Sequence, residues 1–201
     1  MFCENQKRYE NAAFTDDDFS GITLEGYAFV NCSFNGAQMD SLSAYKCTFE
    51  KCDFSFVRAA GSEWNSCAVT NCKWNGAHLF SASFINCKCT GSLFAGANLT
   101  GFLIRGGDYS YTAFCQCDLK GMDLSQIRFM YTDFRDCNLT KANLSGSDLN
   151  HALVQGTNFT DADLRGAKLE GTDMKSARLK RTKLDITQAV LITESLGGLV
   201  L

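Results

Sequence analysis

Between Tyr9 and Leu184 the chain keeps a period of five with no insertion or deletion. The frame visits 36 positions, and 33 of them are large apolar or aromatic; the exceptions are Ala44, Ala59 and Cys89. A five-residue step turns by about 140° on an α-helix and alternates faces on a strand. Neither element sends such a series into one core. The chain must instead turn at regular intervals, so that each fifth side chain enters a shared interior.

The neighbouring columns agree with a coil. The position two residues before the large one is mostly small, as at Ala12, Cys32, Ala37, Cys47, Cys52 and Ala97. Volumes trade off between the two columns. Ala44 and Ala59 are preceded by Leu42 and Val57, whereas Trp64 and Tyr109 are preceded by Ser62 and Gly107. Close packing demands such compensation. Two residues after the large position lie 14 of the 17 glycines, as corners require. The position just before it is polar and is expected to face solvent.

Cysteine is the unusual component, with 11 residues. Eight fill the small inward column: Cys32, Cys47, Cys52, Cys67, Cys72, Cys87, Cys117 and Cys137. Their commonest spacing is 20 residues, four fives, which implies a four-sided coil with like residues stacked on successive turns. Free thiols suit a small buried position. Metal ligands would have to converge, and these spread along the coil, so no cofactor or metal is expected.

The columns resemble the pentapeptide-repeat family: Ala97-Asn98-Leu99-Thr100-Gly101, Ala142-Asn143-Leu144-Ser145-Gly146 and Ala162-Asp163-Leu164-Arg165-Gly166 match its motif, with Cys variants at Cys32-Ser33-Phe34 and Cys52-Asp53-Phe54. The resemblance implies an all-β solenoid, a right-handed quadrilateral parallel β-helix of about nine coils and about 43 Å in length at the usual strand spacing. The expected division is an N-terminal cap over 1–8, the β-helix over 9–184, and a C-terminal helix and dimerisation tail over 185–201.

After Leu184 the frame stops. Asp185 is a good N-cap, Ile186 to Leu196 predicts a capping helix, and Gly197-Gly198 ends it. The apolar residues Ile186, Ala189, Val190, Leu191, Ile192 and Leu196, with Leu199 and Leu201, exceed what one narrow stripe buries. A two-fold homodimer through the C-terminus accounts for the surplus. The tail Leu184-Asp185, Gln188-Ala189, Leu191 and Leu196-Gly197 also resembles the quinolone-resistance subgroup of the family. That resemblance implies binding to DNA gyrase and topoisomerase IV, protection from their poisons, and partial mimicry of DNA. The uninterrupted frame is similar to the loop-free type, so protection through inserted loops is not expected.

Charge is unevenly distributed around a net −3. Residues 108–163 hold eight acidic and four basic side chains, whereas 165–183 hold seven basic and two acidic. Candidate partner contacts are Asp108, Asp118, Asp123, Asp133, Asp148 and Asp163, with the outward Tyr111 and Tyr131; the alternative for any one Asp is a solvated corner. The acidic balance argues against direct nucleic-acid binding. His78 and His151 fall outside the inward columns, and no catalytic constellation is placed by the frame, so the chain is expected not to be an enzyme. Met1 to Phe14 lacks the apolar core of a signal peptide and no run of about 18 apolar residues occurs. A cytoplasmic protein without membrane association is the expectation. The competing reading is a non-enzymatic scaffold of the same family with no topoisomerase partner.

Overall fold

The computed structural model describes residue 3 and residues 6–200. They group into two compact units, Met1–Asp108 and Tyr109–Leu201. Both are parallel β-solenoids with quadrilateral stacking.

In the first unit, three-residue strands build two parallel sheets. One contains β1 (Arg8–Glu10), β3 (Ala28–Val30), β5 (Thr48–Glu50) and β7 (Ala68–Thr70). The other contains β2 (Thr23–Glu25), β4 (Ser43–Tyr45), β6 (Glu63–Asn65), β8 (Ser83–Ile85) and β9 (Leu103–Arg105). Partners lie 20 residues apart, as in Tyr9↔Phe29 and Leu24↔Ala44. The remaining two sides are closed by single bridges, the series from Ala13↔Ser33 to Lys73↔Leu93 and from Asp18↔Gln38 to His78↔Asn98. These four ladders are the four sides expected from the 20-residue spacing.

The second unit keeps the register but not the strands. Its four sides run through single bridges: Ala113↔Asp133↔Leu153, Asp118↔Asn138↔Asn158↔Arg178, Asp123↔Asn143↔Asp163↔Lys183 and Arg128↔Asp148↔Lys168. The β-structure thus extends over about five turns, not the nine expected. One physical contribution lies just before each large residue, although sides with Arg58, His78 or Arg128 there also pair through single bridges. In the strands that position is Arg, Thr, Ala, Ser, Glu or Leu, never Asp or Asn. In the second unit Asp and Asn dominate it, and their Oδ1 accepts the backbone N–H two residues on. Asp118 takes the Lys120 N–H at 3.2 Å, Asn143 that of Ser145 at 3.1 Å and Asp133 that of Arg135 at 3.0 Å. This local bond folds the segment as a turn and competes with an extended strand.

The interior is filled as the frame requires. Phe14, Phe34, Phe54, Trp74 and Phe94 stack in one column of the first unit, with Phe34–Phe54 ring centroids 4.9 Å apart and Phe54–Trp74 4.2 Å apart. Neighbouring columns meet edge-on, as at Trp64–Trp74. The compensating pairs are real: Ala44 with Leu42 and Ala59 with Val57 are all fully buried. Ser62 adds more than space, because its Oγ accepts the Trp64 indole N–H at 3.0 Å. A Cβ at Gly107 would overlap the Cys87 carbonyl, so no larger residue fits there.

The small inward column has a second task that its size did not reveal. Many of its Cys, Ser and Thr side chains donate to the carbonyl 23 residues earlier, at the inward centre position of the preceding turn. Cys67 Sγ donates to Ala44 O at 3.3 Å and Cys72 Sγ to Phe49 O at 3.4 Å. In the second unit Thr157 Oγ1 donates to Phe134 O at 2.7 Å and Thr172 Oγ1 to Leu149 O at 2.6 Å. All 11 cysteines are free, and the eight inward ones are buried. Burial, then the neighbouring Cys115, pushes the Cys117 thiol up to about 12. Burial likewise raises Cys72, well above the ordinary thiol range.

Corners from Asn11 to Gly171, and Arg181, are left-handed whatever residue occupies them; Ser176 is the exception. Twenty non-glycine residues have positive φ, between 50° and 63°, and each lies in the glycine column. A corner side chain reaches over the corner of the next turn. The Phe56 ring lies over Gly76, where a Cβ would sit 2.8 Å from it, so Gly76 accommodates the ring as well as the backbone angle.

The C-terminal helix α1 is Ile186–Ser195. Asp185 and Gln188 form a reciprocal capping box. The helix docks through a polar anchor: Gln188 Nε2 donates to Ala167 O at 3.0 Å, and Asp185 Oδ2 accepts the Gly166 N–H at 2.8 Å. Its buried residues are Gln188 and Ile192.

Candidate interaction site

The tail residues divide by burial. Ile186, Leu196 and Leu199 are exposed at 83%, 56% and 81%, and Ala189 is also exposed. Val190 and Leu191 are half-buried, and Ile192 is buried within the chain. Leu201 lies outside the described residues. The helix docks through Gln188 and Ile192, and Ile186 and Ala189 face outward. The N-cap was legible at Asp185, but the reciprocal bond to the Gln188 side chain was not, nor was the anchoring bond to Ala167, which depends on which turn the helix meets.

The aspartates are held by their own turns. Asp118 also accepts from Asn138 Nδ2 at 2.9 Å, and Asp123 from Asn143 Nδ2 at 3.0 Å. Both remain exposed. Asp133 and Asp163 are paired with Arg135 and Arg165 at 2.7 and 2.6 Å. Burial opposes the charge on Asp133, but the Arg135 guanidinium and N–H outweigh it and hold the carboxyl below the usual range. The bond from Arg165 does the same for Asp163. Asp148 lies 3.6 Å from Lys168. Asp108 is half-buried in the first unit, bridged to Lys88. Asp118 and Asp123 thus lie on adjoining sides with no ion-pair partner among the described residues, whereas Asp133, Asp148 and Asp163 have cationic partners.

Tyr111 and Tyr131 stack on successive corners, centroids 4.9 Å apart and planes 2° from parallel. His151 continues the stack at 4.8 Å. Tyr111 is 60% exposed and Tyr131 43%. The shared column made this ladder legible in the sequence, and all three residues occupy left-handed corners, with φ of 61°, 57° and 58°.

No helix among the described residues is long and apolar enough to cross a membrane. A solenoid whose inward side chains close-pack and whose outward ones form charged and aromatic ladders defines a β-solenoid repeat protein. The chain belongs to the pentapeptide-repeat family: the profile "Pentapeptide repeats" matches in 8 copies, over residues 66–101, 110–146 and 142–181. Among solved structures, the fold is similar to a trypsin-treated form of QnrB1, a plasmid-mediated fluoroquinolone resistance protein. The TM-score is 0.76 at 25% identity, covering 96% of this chain and 97% of that one. Full-length QnrB1 matches with a TM-score of 0.68 at 23% identity, covering 94% and 99%. No curated protein matches the sequence significantly.

Proposed function

We propose that the chain binds a type II topoisomerase, DNA gyrase or topoisomerase IV, as a partial mimic of DNA and protects it from topoisomerase poisons. The outcome in a cell is antibiotic resistance or self-immunity. The observation that carries this reading is the likeness to QnrB1 across nearly the whole length of both chains. The tail that resembles the quinolone-resistance subgroup supports it, with its exposed Ile186, Leu196 and Leu199 as the surface for a homodimer. Asp118, Asp123 and the Tyr111–Tyr131 stack are the contacts best placed to meet a basic DNA-binding surface, by charge and by aromatic anchoring.

A supercoiling assay with purified gyrase and a fluoroquinolone tests it. The chain is expected to restore supercoiling in a dose-dependent way, and Asp118→Lys with Asp123→Lys to abolish the rescue. Absence of both binding and rescue at every concentration overturns the reading. One observation favours a second reading, a scaffold with another protein partner. Asp133 and Asp163 carry their own arginines, which weakens a phosphate-like row of charge.

A further inference from the structure

The net charge averages over an uneven surface. Between residues 175 and 183 stand five exposed cations: Lys175, Arg178, Lys180, Arg181 and Lys183. Two have acidic partners. Arg181 is bound through two nitrogens by Asp161, at 2.6 and 2.7 Å, and Lys183 lies 3.9 Å from Asp163. Lys175, Arg178 and Lys180 have no ion-pair partner among the described residues.

The repeat sets these cations in regular order on the last turn of the second unit. Arg178 and Lys183 occupy the solvent position before Leu179 and Leu184, on adjoining sides. Lys175 and Lys180 occupy the position after Met174 and Leu179. Charge changes sign along both sides, from Asp118 through Asn138 and Asn158 to Arg178, and from Asp123 through Asn143 and Asp163 to Lys183. Between residues 165 and 183 no large apolar side chain is exposed.

We propose that this basic turn is a binding surface for the phosphate backbone of nucleic acid, without readout of base sequence. A phosphodiester chain presents one charge per nucleotide and is bound by a row of cations alone. An acidic protein surface would bring an apolar centre to the interface; residues 165–183 offer none to meet it, and the exposed apolar residues of the adjoining tail, Ile186, Leu196 and Leu199, are the surface proposed for the homodimer. The expectation of no nucleic-acid contact rested on the overall charge; the local field around Lys175, Arg178 and Lys180 is of the opposite sign. The inference needs no topoisomerase, and stands or falls apart from the proposed function.

The test is fluorescence anisotropy of a labelled DNA duplex of mixed sequence, titrated with the full chain between about 50 and 200 mM salt. Saturable binding that weakens steeply with salt is expected. The triple variant Lys175→Ala, Arg178→Ala, Lys180→Ala is expected to lose about tenfold or more in affinity and to flatten the log–log salt slope by about 2–3. The control triple Lys46→Ala, Lys73→Ala, Lys88→Ala removes the same charge from exposed positions of the first unit, and should stay within about twofold of the parent chain. Absence of binding at low salt overturns the proposal. So does equal loss in both triples, which would reduce the effect to net charge. Polyglutamate displacing the duplex at equal charge concentration would also overturn it, in favour of an acidic protein ligand.

Discussion

The two units run the same five-residue frame with different chemistry. The first stacks Phe and Trp, buries thiols in its small column and carries strands on two sides. The second stacks mostly Leu and Phe, uses Thr, Ser and Ala in much of the small column, and turns on Asp and Asn. Both reach the same register. The frame therefore needs two inward volumes that together fill the turn and, at nearly every corner, a left-handed residue; a donor in the small column is added where Cys, Ser or Thr stands there, and several residue types are tolerated at each position.

The largest expected effect breaks the core of either unit. Phe54→Ala should cost about 3–5 kcal/mol and Leu144→Ala about 2–5 kcal/mol in urea unfolding. A double-mutant cycle sharpens the contrast. Phe34 and Phe54 should couple by about 0.5–1.5 kcal/mol beyond burial, through ring stacking, whereas Leu124 and Leu144 lack that contribution. Equal coupling in the two pairs would show that the aromatic stacks add nothing but volume.

Next come the inward donors. Thr157→Val removes the hydroxyl bond to Phe134 O and should cost about 1–2 kcal/mol. Cys72→Ser keeps a donor to Phe49 O and should change stability by less than about 1 kcal/mol. A silent Thr157→Val would reduce the column to a spacer. The thiols offer a second check by reagent labelling. Cys3 is exposed and Cys115 half-exposed, so these two should react quickly, and the buried nine only on unfolding.

The turn bonds of the second unit should be worth less singly. Asn143→Ala loses the Ser145 N–H bond at an expected cost of about 1 kcal/mol. Asn143→Thr, imitating the first unit, tests whether the segment then becomes a strand, read from backbone amide exchange.

The smallest effect is acid sensitivity. Asp161, Asp163 and Asp185 have carboxyls held below the usual range by the Arg181 side chain, the Arg165 side chain and the Gly166 N–H respectively. A depressed folded value contributes stability that is full above the unfolded value, near 3.8, and is lost as pH falls through the folded one. Thermal melts should show the loss only below about pH 4. Asp161→Asn should remove its share, and an unchanged acid limb would locate the sensitivity elsewhere.

Much of this was legible because a solenoid converts sequence spacing into spatial stacking. The period of five placed Phe54 beneath Trp74, Tyr111 beneath Tyr131 and Asp123 beside Asn143 without any tertiary information. Each contact is the repeat itself, read 20 residues later. The N-cap at Asp185 was equally local.

Other features came only from the folded chain. That Cys67 and Thr157 donate to a carbonyl 23 residues back depends on where the previous turn points its oxygen, which spacing does not state. The β-structure thinned to about five turns, and one contribution is that Asp and Asn side chains compete with the ladder for backbone N–H groups, a contest decided by local geometry. The neutralisation of Asp133 and Asp163, and the freedom of Asp118, Lys175 and Arg178, were settled by which side chains share a turn and reach one another. Sequence alone determined the coil and its contents, because period and volume leave one solution. Tertiary structure decided which charges remain unpaired, because pairing depends on angstroms and not on order along the chain.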